Sequence, residues 1–211
     1  LFTPLKYAII HKLFHPKLRI IGSERANPQK YNSLLKKIRC KICPIFCNGY
    51  IFQTDKIKKM YPKFIQKKSV VIPNAISNPD VFNCKEVANK EKVITSVGRL
   101  TYQKGFDTLI KAYIEVFKVH PEYNLIIYGE GPLRKELMEL VYSNSMEKNI
   151  FLPGNCKNVA NSISKSMIFI MCSRFEGMPN ALMEAMAIGL PCISTNCVAG
   201  PSEIIDNKKN G

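Results

Sequence analysis

Tryptophan is absent and histidine occurs only three times. Acids are scarce: 16 Asp and Glu stand against 31 Lys and Arg, a formal charge of +15. No Asp-x-Asp sequence and no carboxylate cluster for a divalent ion is visible. An anionic ligand would therefore be held by cations and helix ends in place of a metal. No run of about 20 apolar residues occurs, which excludes a membrane-spanning helix in this stretch; Leu5 to Ile10 is short and broken by Lys6. No secretory signal is visible. A basic recognition helix or an aromatic platform aimed at one surface is also missing, so the charge does not read as nucleic-acid binding.

What is present suits a globular chain. The apolar fraction of 46% is ordinary, and 211 residues hold one large domain or parts of two. The chain starts with Leu1 and ends on Asn-Lys-Lys-Asn-Gly, and is expected to be a fragment of a longer protein. The basic excess favours nucleotide phosphates, lipid diphosphates or an acidic membrane surface. Lysines are densest at Lys56, Lys58, Lys59, Lys63, Lys67 and Lys68, which fits a membrane-facing patch and equally a Lys-, Asn- and Ile-rich background. Cys40, Cys43 and Cys47 invite a zinc reading, but neither His11, His15 nor Cys84 completes four ligands. The eight cysteines read as reduced thiols in a reducing compartment, hence a cytoplasmic protein, with its inner membrane face as a docking place.

Along the chain, residues 1–17 read as a helix and 18–23 as a buried strand, followed by the Asn27-Pro28 turn. Residues 29–41 show helical spacing in Tyr31, Leu34, Leu35 and Ile38. A strand over Tyr50–Gln53, a basic helix over 55–61 and a strand from Ser69 to Asn74 follow. The polar stretch 75–91 reads as a linker between a first domain, 1–74, and a second, 92–211. From residue 92, apolar strands near 93–98, 124–128, 150–152, 167–172 and 192–195 alternate with helices near 104–119, 132–143, 157–164, 179–188 and from 201. Strands lacking polar alternation, separated by helices, predict an α/β doubly wound parallel sheet covered on both faces, with ligands at the carboxyl ends of its strands.

The chemistry lies at those ends. Gly98 admits close backbone approach, Arg99 offers a planar fork for phosphate oxygens, and Lys104 adds a point charge at the start of the next helix. Gly129-Glu130-Gly131 and Gly154-Asn155-Cys156 close the next two strands. After the fourth comes Arg174-Phe175-Glu176-Gly177-Met178-Pro179-Asn180-Ala181-Leu182-Met183-Glu184. Pro179 suits the first helical position and Asn180 or its neighbours the cap. Glu176 then precedes a helix mouth that suits a phosphate, and Glu184 follows it. Glu203, in Gly200-Pro201-Ser202-Glu203, reads foremost as an acid capping its own helix.

These residues resemble the E-x7-E motif of retaining GT-B glycosyltransferases of the family 4 type, glycosyl transferases group 1. Gly98-Arg99, Lys104-Gly105 and Gly-Pro-x-Glu at 200–203 agree with that family as well. Ser23-Glu24-Arg25 and Ile72-Pro73-Asn74 agree with the end of its acceptor domain. The resemblance implies two Rossmann-like domains, the first truncated here, and a retaining hexosyl transfer from a nucleotide-sugar, by family frequency a UDP-sugar. The acceptor would be a glycan or lipid-linked sugar in surface polysaccharide synthesis. No cofactor and no metal are implied. Arg99 and Lys104 would neutralise the diphosphate, Glu176 would face the sugar and Glu184 the ribose. Asn155 and Cys156 would flank the base. Gly98 and the backbone of Gly177, Met178, Pro179, Asn180, Ala181 and Leu182 would complete the donor site. A nucleotide-sugar-binding module without turnover is the alternative.

Overall fold

The computed structural model describes residues 2–25, 42–76, 78–84, 89–207 and 209–210. The Asn27-Pro28 turn, the helix over 29–41 and Cys40 lie outside the described residues. The chain forms two compact units. The first comprises Leu1–Ala75, Phe175–Met178 and Val198–Glu203; the second comprises Ile76–Arg174, Pro179–Cys197 and Ile204–Gly211.

The first unit contains α1 (Phe2–Phe14), β1 (Ile21–Glu24), β2 (Gly49–Phe52), α2 (Asp55–Lys59), α3 (Lys63–Lys67) and β3 (Ser69–Val71). The strands form a parallel sheet in the order β1-β2-β3. The basic helix expected over 55–61 is α2; the further helix α3 follows as a separate element, because Pro62 starts it and lacks the N–H needed to continue α2. Thr54 caps α2 by accepting from the Ile57 amide at 3.2 Å. Tyr50, Phe52 and Tyr61 form the aromatic centre of the core, with Phe52 4.7 Å from Tyr61 between ring centroids. Ile57 and Ile65 close it, fully buried.

In the second unit, α4 (Pro79–Asn83) lies within the expected linker; the Asn78 side chain caps it through the Asp80 amide. Then come β4 (Glu91–Val97), α5 (Phe106–Phe117), β5 (Asn124–Tyr128), α6 (Arg134–Ser143), β6 (Ile150–Gly154), α7 (Val159–Ser164), β7 (Ser166–Met171), α8 (Asn180–Ala187) and β8 (Cys192–Ser194). All five strands are parallel, in the order β6-β5-β4-β7-β8. Strand order reverses direction at β4, so β4 and β7 flank the switch point where such sheets bind ligands.

Two apolar layers sandwich this sheet. Leu109, Ile110 and Tyr113 of α5 and Leu137 and Val141 of α6 pack with Leu125 and Ile127. Ile163 of α7 and Leu182 and Ala185 of α8 pack with Phe169, Met171 and Cys192. Strand hydroxyls buried between the layers are satisfied by neighbouring strands: Ser96 Oγ donates to the Ile170 carbonyl at 2.6 Å. The edge strand β6 departs from the expected unbroken apolar run. It alternates buried and exposed residues, with Phe151 turned out, because an edge strand lacks helix cover on one face.

The helix α9 (Pro201–Ile204) yields a second correction. Glu203 does not cap it. Its carboxylate accepts from the amides of Asp55 at 2.9 Å and Lys56 at 3.3 Å, the open first turn of α2. Pro201 offers its own helix no first N–H to cap, whereas Thr54 leaves those two amides of α2 to another acceptor.

Candidate active site

At the carboxyl end of β4 the chain turns through Gly98 and Arg99 into a 3-10 turn, Tyr102–Lys104. Lys104 therefore precedes α5 and is not its first residue, as expected from sequence; Gly105 intervenes in the left-handed conformation, φ 64°. Gly105 is required twice over. Its φ disfavours a side chain, and a Cβ there would lie 2.2 Å from the Cys172 carbonyl oxygen. Gly98 makes room for Lys104: a Cβ at Gly98 would meet the Lys104 Cδ and Cε at 3.2 Å. The lysine stem thus lies along the glycine that precedes Arg99.

Beside this turn a cavity of about 460 Å³ opens over three adjacent strand ends. Val97, Gly98 and Arg99 line it from β4, Tyr128 to Gly131 from β5, and Asn155, Cys156 and Val159 from beyond β6. Its volume suits a small organic ligand. Gly129, φ 140°, lets the ends of β5 and β4 approach closely, since a Cβ there would lie 2.0 Å from the Gly98 carbonyl oxygen. Glu130 lines the cavity with its charge already engaged: Arg134 pairs with its Oε1 at 2.9 Å and also donates to the Leu152 carbonyl at 2.7 Å. Cys156 Sγ lies 2.8 Å from Ser162 Oγ. Burial foremost, with Cys156 and Glu91 adding, raises the Tyr128 pKa.

The end of β7 is stitched to both neighbouring loops. Cys172 Sγ donates to the Lys104 and Gly105 carbonyls at 3.3 and 3.1 Å, and burial pushes its pKa up to about 11. The Ser173 carbonyl accepts from Thr195 Oγ1 at 2.7 Å and from Cys197 Sγ at 2.8 Å. Arg174 forks onto Asp107 at 2.9 and 2.6 Å, and this hydrogen-bonded pair lowers the Asp107 pKa. Sequence reasoning gave Arg174 and Asp107 no role. The available signal was an acid in the first turn after Lys104-Gly105 together with an arginine at the head of the Glu176 motif.

The remaining expected residues divide between the units. Glu176, Gly177 and Met178 belong to the first. There Glu176 is 6% exposed, and Met178 Sδ accepts from the Asn74 amide at 3.3 Å. Pro179, Asn180, Ala181, Leu182 and Glu184 belong to the second. Pro179 is the N-cap of α8 in extended backbone, not its first helical residue, and its ring makes no capping hydrogen bond. The physical reason is ψ 103° at Pro179, which keeps it outside the helix and leaves Asn180 to begin it. Leu182 and Ala185 face the core, so Leu182 can offer a ligand only its backbone. Glu184 is half-buried, and burial raises its pKa. The structure brings Gly98, Arg99, Asn155 and Cys156 together around the cavity, with Lys104 against Gly98.

Residues 78–211 match the family described as Glycosyl transferases group 1. An uncharacterized glycosyltransferase of Methanocaldococcus jannaschii is 34% identical over 167 residues, covering 74% of this chain and 41% of that protein. The N-acetylgalactosamine-N,N'-diacetylbacillosaminyl-diphospho-undecaprenol 4-alpha-N-acetylgalactosaminyltransferase of Campylobacter jejuni is 27% identical, covering 99% of this chain and 59% of that protein. The chain thus spans 41% and 59% of the lengths of these two curated relatives. Among solved structures, a TarM mutant from S. aureus in complex with Fondaparinux, alpha-GlcNAc-glycerol and UDP superposes with a TM-score of 0.80 at 22% identity, over 95% of this chain and 42% of that one. That likeness concerns the fold, two Rossmann-like parallel sheets of the GT-B type. By the match over residues 78–211, the chain belongs to the Glycosyl transferases group 1 family.

Proposed function

We propose that the chain is the donor half, with the end of the acceptor half, of a retaining GT-B glycosyltransferase of the family 4, E-x7-E type. It moves a hexose from a UDP-sugar to a glycan or lipid-linked acceptor in surface polysaccharide synthesis. One observation carries the reading: Arg99 and Lys104 stand at the carboxyl end of β4, at the switch point, beside a cavity of about 460 Å³. In this reading the base occupies the cavity between Asn155 and Cys156. Arg99 and Lys104 neutralise the diphosphate as its bond to the sugar breaks, a form of electrostatic stabilisation that is often the largest catalytic contribution. Glu184 binds the ribose and Glu176 the sugar hydroxyls. The departing phosphate oxygen takes the proton of the incoming acceptor hydroxyl. The backbone from Gly177 to Leu182 supplies amides to the sugar and distal phosphate, and no metal or cofactor takes part.

The names of the relatives support the finer points. The Campylobacter protein carries an alpha linkage and a diphospho-undecaprenol acceptor in its name, and TarM was solved with UDP and alpha-GlcNAc-glycerol. An alpha product from an alpha-linked UDP-sugar is retention. The charge of +15 suits a lipid diphosphate at the cytoplasmic membrane face.

The test is titration of UDP into the complete gene product, followed by assay with UDP-sugars and identification of the product anomer by NMR. Arg99→Ala and Lys104→Ala should each weaken UDP binding roughly ten- to a hundredfold, as expected for hydrogen bonds to charged groups. Unchanged binding in both variants would overturn the diphosphate assignment. A beta product would overturn retention. Binding without transfer or donor hydrolysis would leave the module without turnover.

A further inference from the structure

We infer that Arg174 is a positioning residue for the diphosphate grip: it fastens the Tyr102–Gly105 turn, and Lys104 with it, to the carboxyl end of β7. The inference rests on the donor reading above and deepens it.

Several contacts converge on this one residue. The Arg174 amide donates to the Gln103 carbonyl at 2.8 Å. Its guanidinium donates to the Tyr102 carbonyl at 2.8 Å and lies over the Tyr102 ring, 4.2 Å from the centroid. The same group forks onto both carboxylate oxygens of Asp107, in the first turn of α5. The turn is therefore held at its two residues before Lys104 and, through Asp107, just after Gly105. Cys172 completes the seam by donating to the Lys104 and Gly105 carbonyls.

The chemistry requires arginine. Its planar fork can serve a carboxylate and a carbonyl while stacking on an aromatic ring, which a lysine ammonium cannot do at once. Arg174's own charge is spent on Asp107, which the pair holds below the usual carboxylate range. That leaves phosphate neutralisation to Arg99 and Lys104. A short 3-10 turn has few bonds of its own: Lys104 N donates to the Thr101 carbonyl at 3.0 Å. Without the clip, the Lys104 stem would lose its fixed course along Gly98.

The experiment is a double-mutant cycle on the complete gene product with UDP as the probe, joined to amide hydrogen exchange. Arg174→Ala should weaken UDP binding roughly tenfold in the wild-type background. In a Lys104→Ala background it should cost little more, because its effect passes through Lys104. The Lys104 amide should exchange faster in Arg174→Ala while β5 amides keep their protection. Arg174→Lys should fail to rescue either readout. Asp107→Asn, which removes the pair from its other side, should reproduce the faster exchange and part of the affinity loss. Additive losses across the cycle, or an unchanged Lys104 amide in both Arg174→Ala and Asp107→Asn, would overturn the inference. If wild-type protein binds no UDP, the donor reading falls; turn exchange alone then decides, and retained protection sinks the positioning role too.

Discussion

Single residues carry charge states set by their burial. The Glu184 carboxyl is raised by desolvation. A carboxyl whose folded pKa exceeds its unfolded one binds its proton more tightly in the folded state. The associated stability is complete below the unfolded pKa and is lost as pH rises through the folded pKa. Ionised Glu184 thus costs stability near neutrality, a strain kept for binding in the donor reading. Glu184→Gln should raise the Tm at about pH 7, narrow that gain towards about pH 4, and weaken UDP binding. An unchanged Tm at neutral pH, measured by scanning calorimetry, would refute it. The thiols differ for the same reason. Burial pushes Cys172 up to about 11 and Cys192 up to about 12. Both should stay unmodified by a thiol reagent at about pH 8 until the protein unfolds, since the thiolate is the nucleophile.

At the scale of the element, two left-handed glycines separate conformational cost from crowding. Gly105 and Gly189 have φ of 64° and 76°. A Cβ at Gly105 strikes the Cys172 carbonyl oxygen at 2.2 Å; at Gly189 it meets nothing within 4 Å. Gly189→Ala should cost only the backbone penalty, about 1–2 kcal/mol. Gly105→Ala should cost clearly more than Gly189→Ala and disturb the loop seam between β4 and β7 as well. Denaturant midpoints of the two variants check this, and equal losses would mean that the seam yields freely. The two ends of α8 were legible to different degrees. Gly189 after the helix marks its stop, as the Gly-Leu-Pro sequence led one to expect. Pro179 before it suits the first helical position by its missing N–H, yet it is the N-cap, because its ψ of 103° keeps it outside the helix.

At the scale of the molecule, chain order and spatial order part company. Glu176 lies eight positions before Glu184, yet the former belongs to the first unit and the latter to the second. Likewise Val198–Glu203 joins the first unit, where Glu203 caps α2 across 148 residues. Glu203→Ala should cost about 0.5–2 kcal/mol, the usual value of a lost helix cap. That loss should appear as faster exchange of the Asp55 and Lys56 amides while β4 and β5 amides are unmoved. The net charge of +15 predicts attachment to vesicles containing anionic lipid that weakens as salt shortens the screening length. Co-sedimentation that ignores salt would remove electrostatics as the cause.

The sequence by itself determined what local patterns encode. Apolar strands alternating with helices, glycines at strand ends, and the order Gly98, Arg99, Lys104, Glu176, Glu184 follow from short-range periodicity and turn chemistry. Tertiary structure alone decided the strand order β6-β5-β4-β7-β8, the sharing of the cavity among three strand ends, and the pairing of Arg174 with Asp107 67 residues away. Those outcomes depend on which helices cover which face of the sheet, and burial energy fixes that only when the whole chain packs.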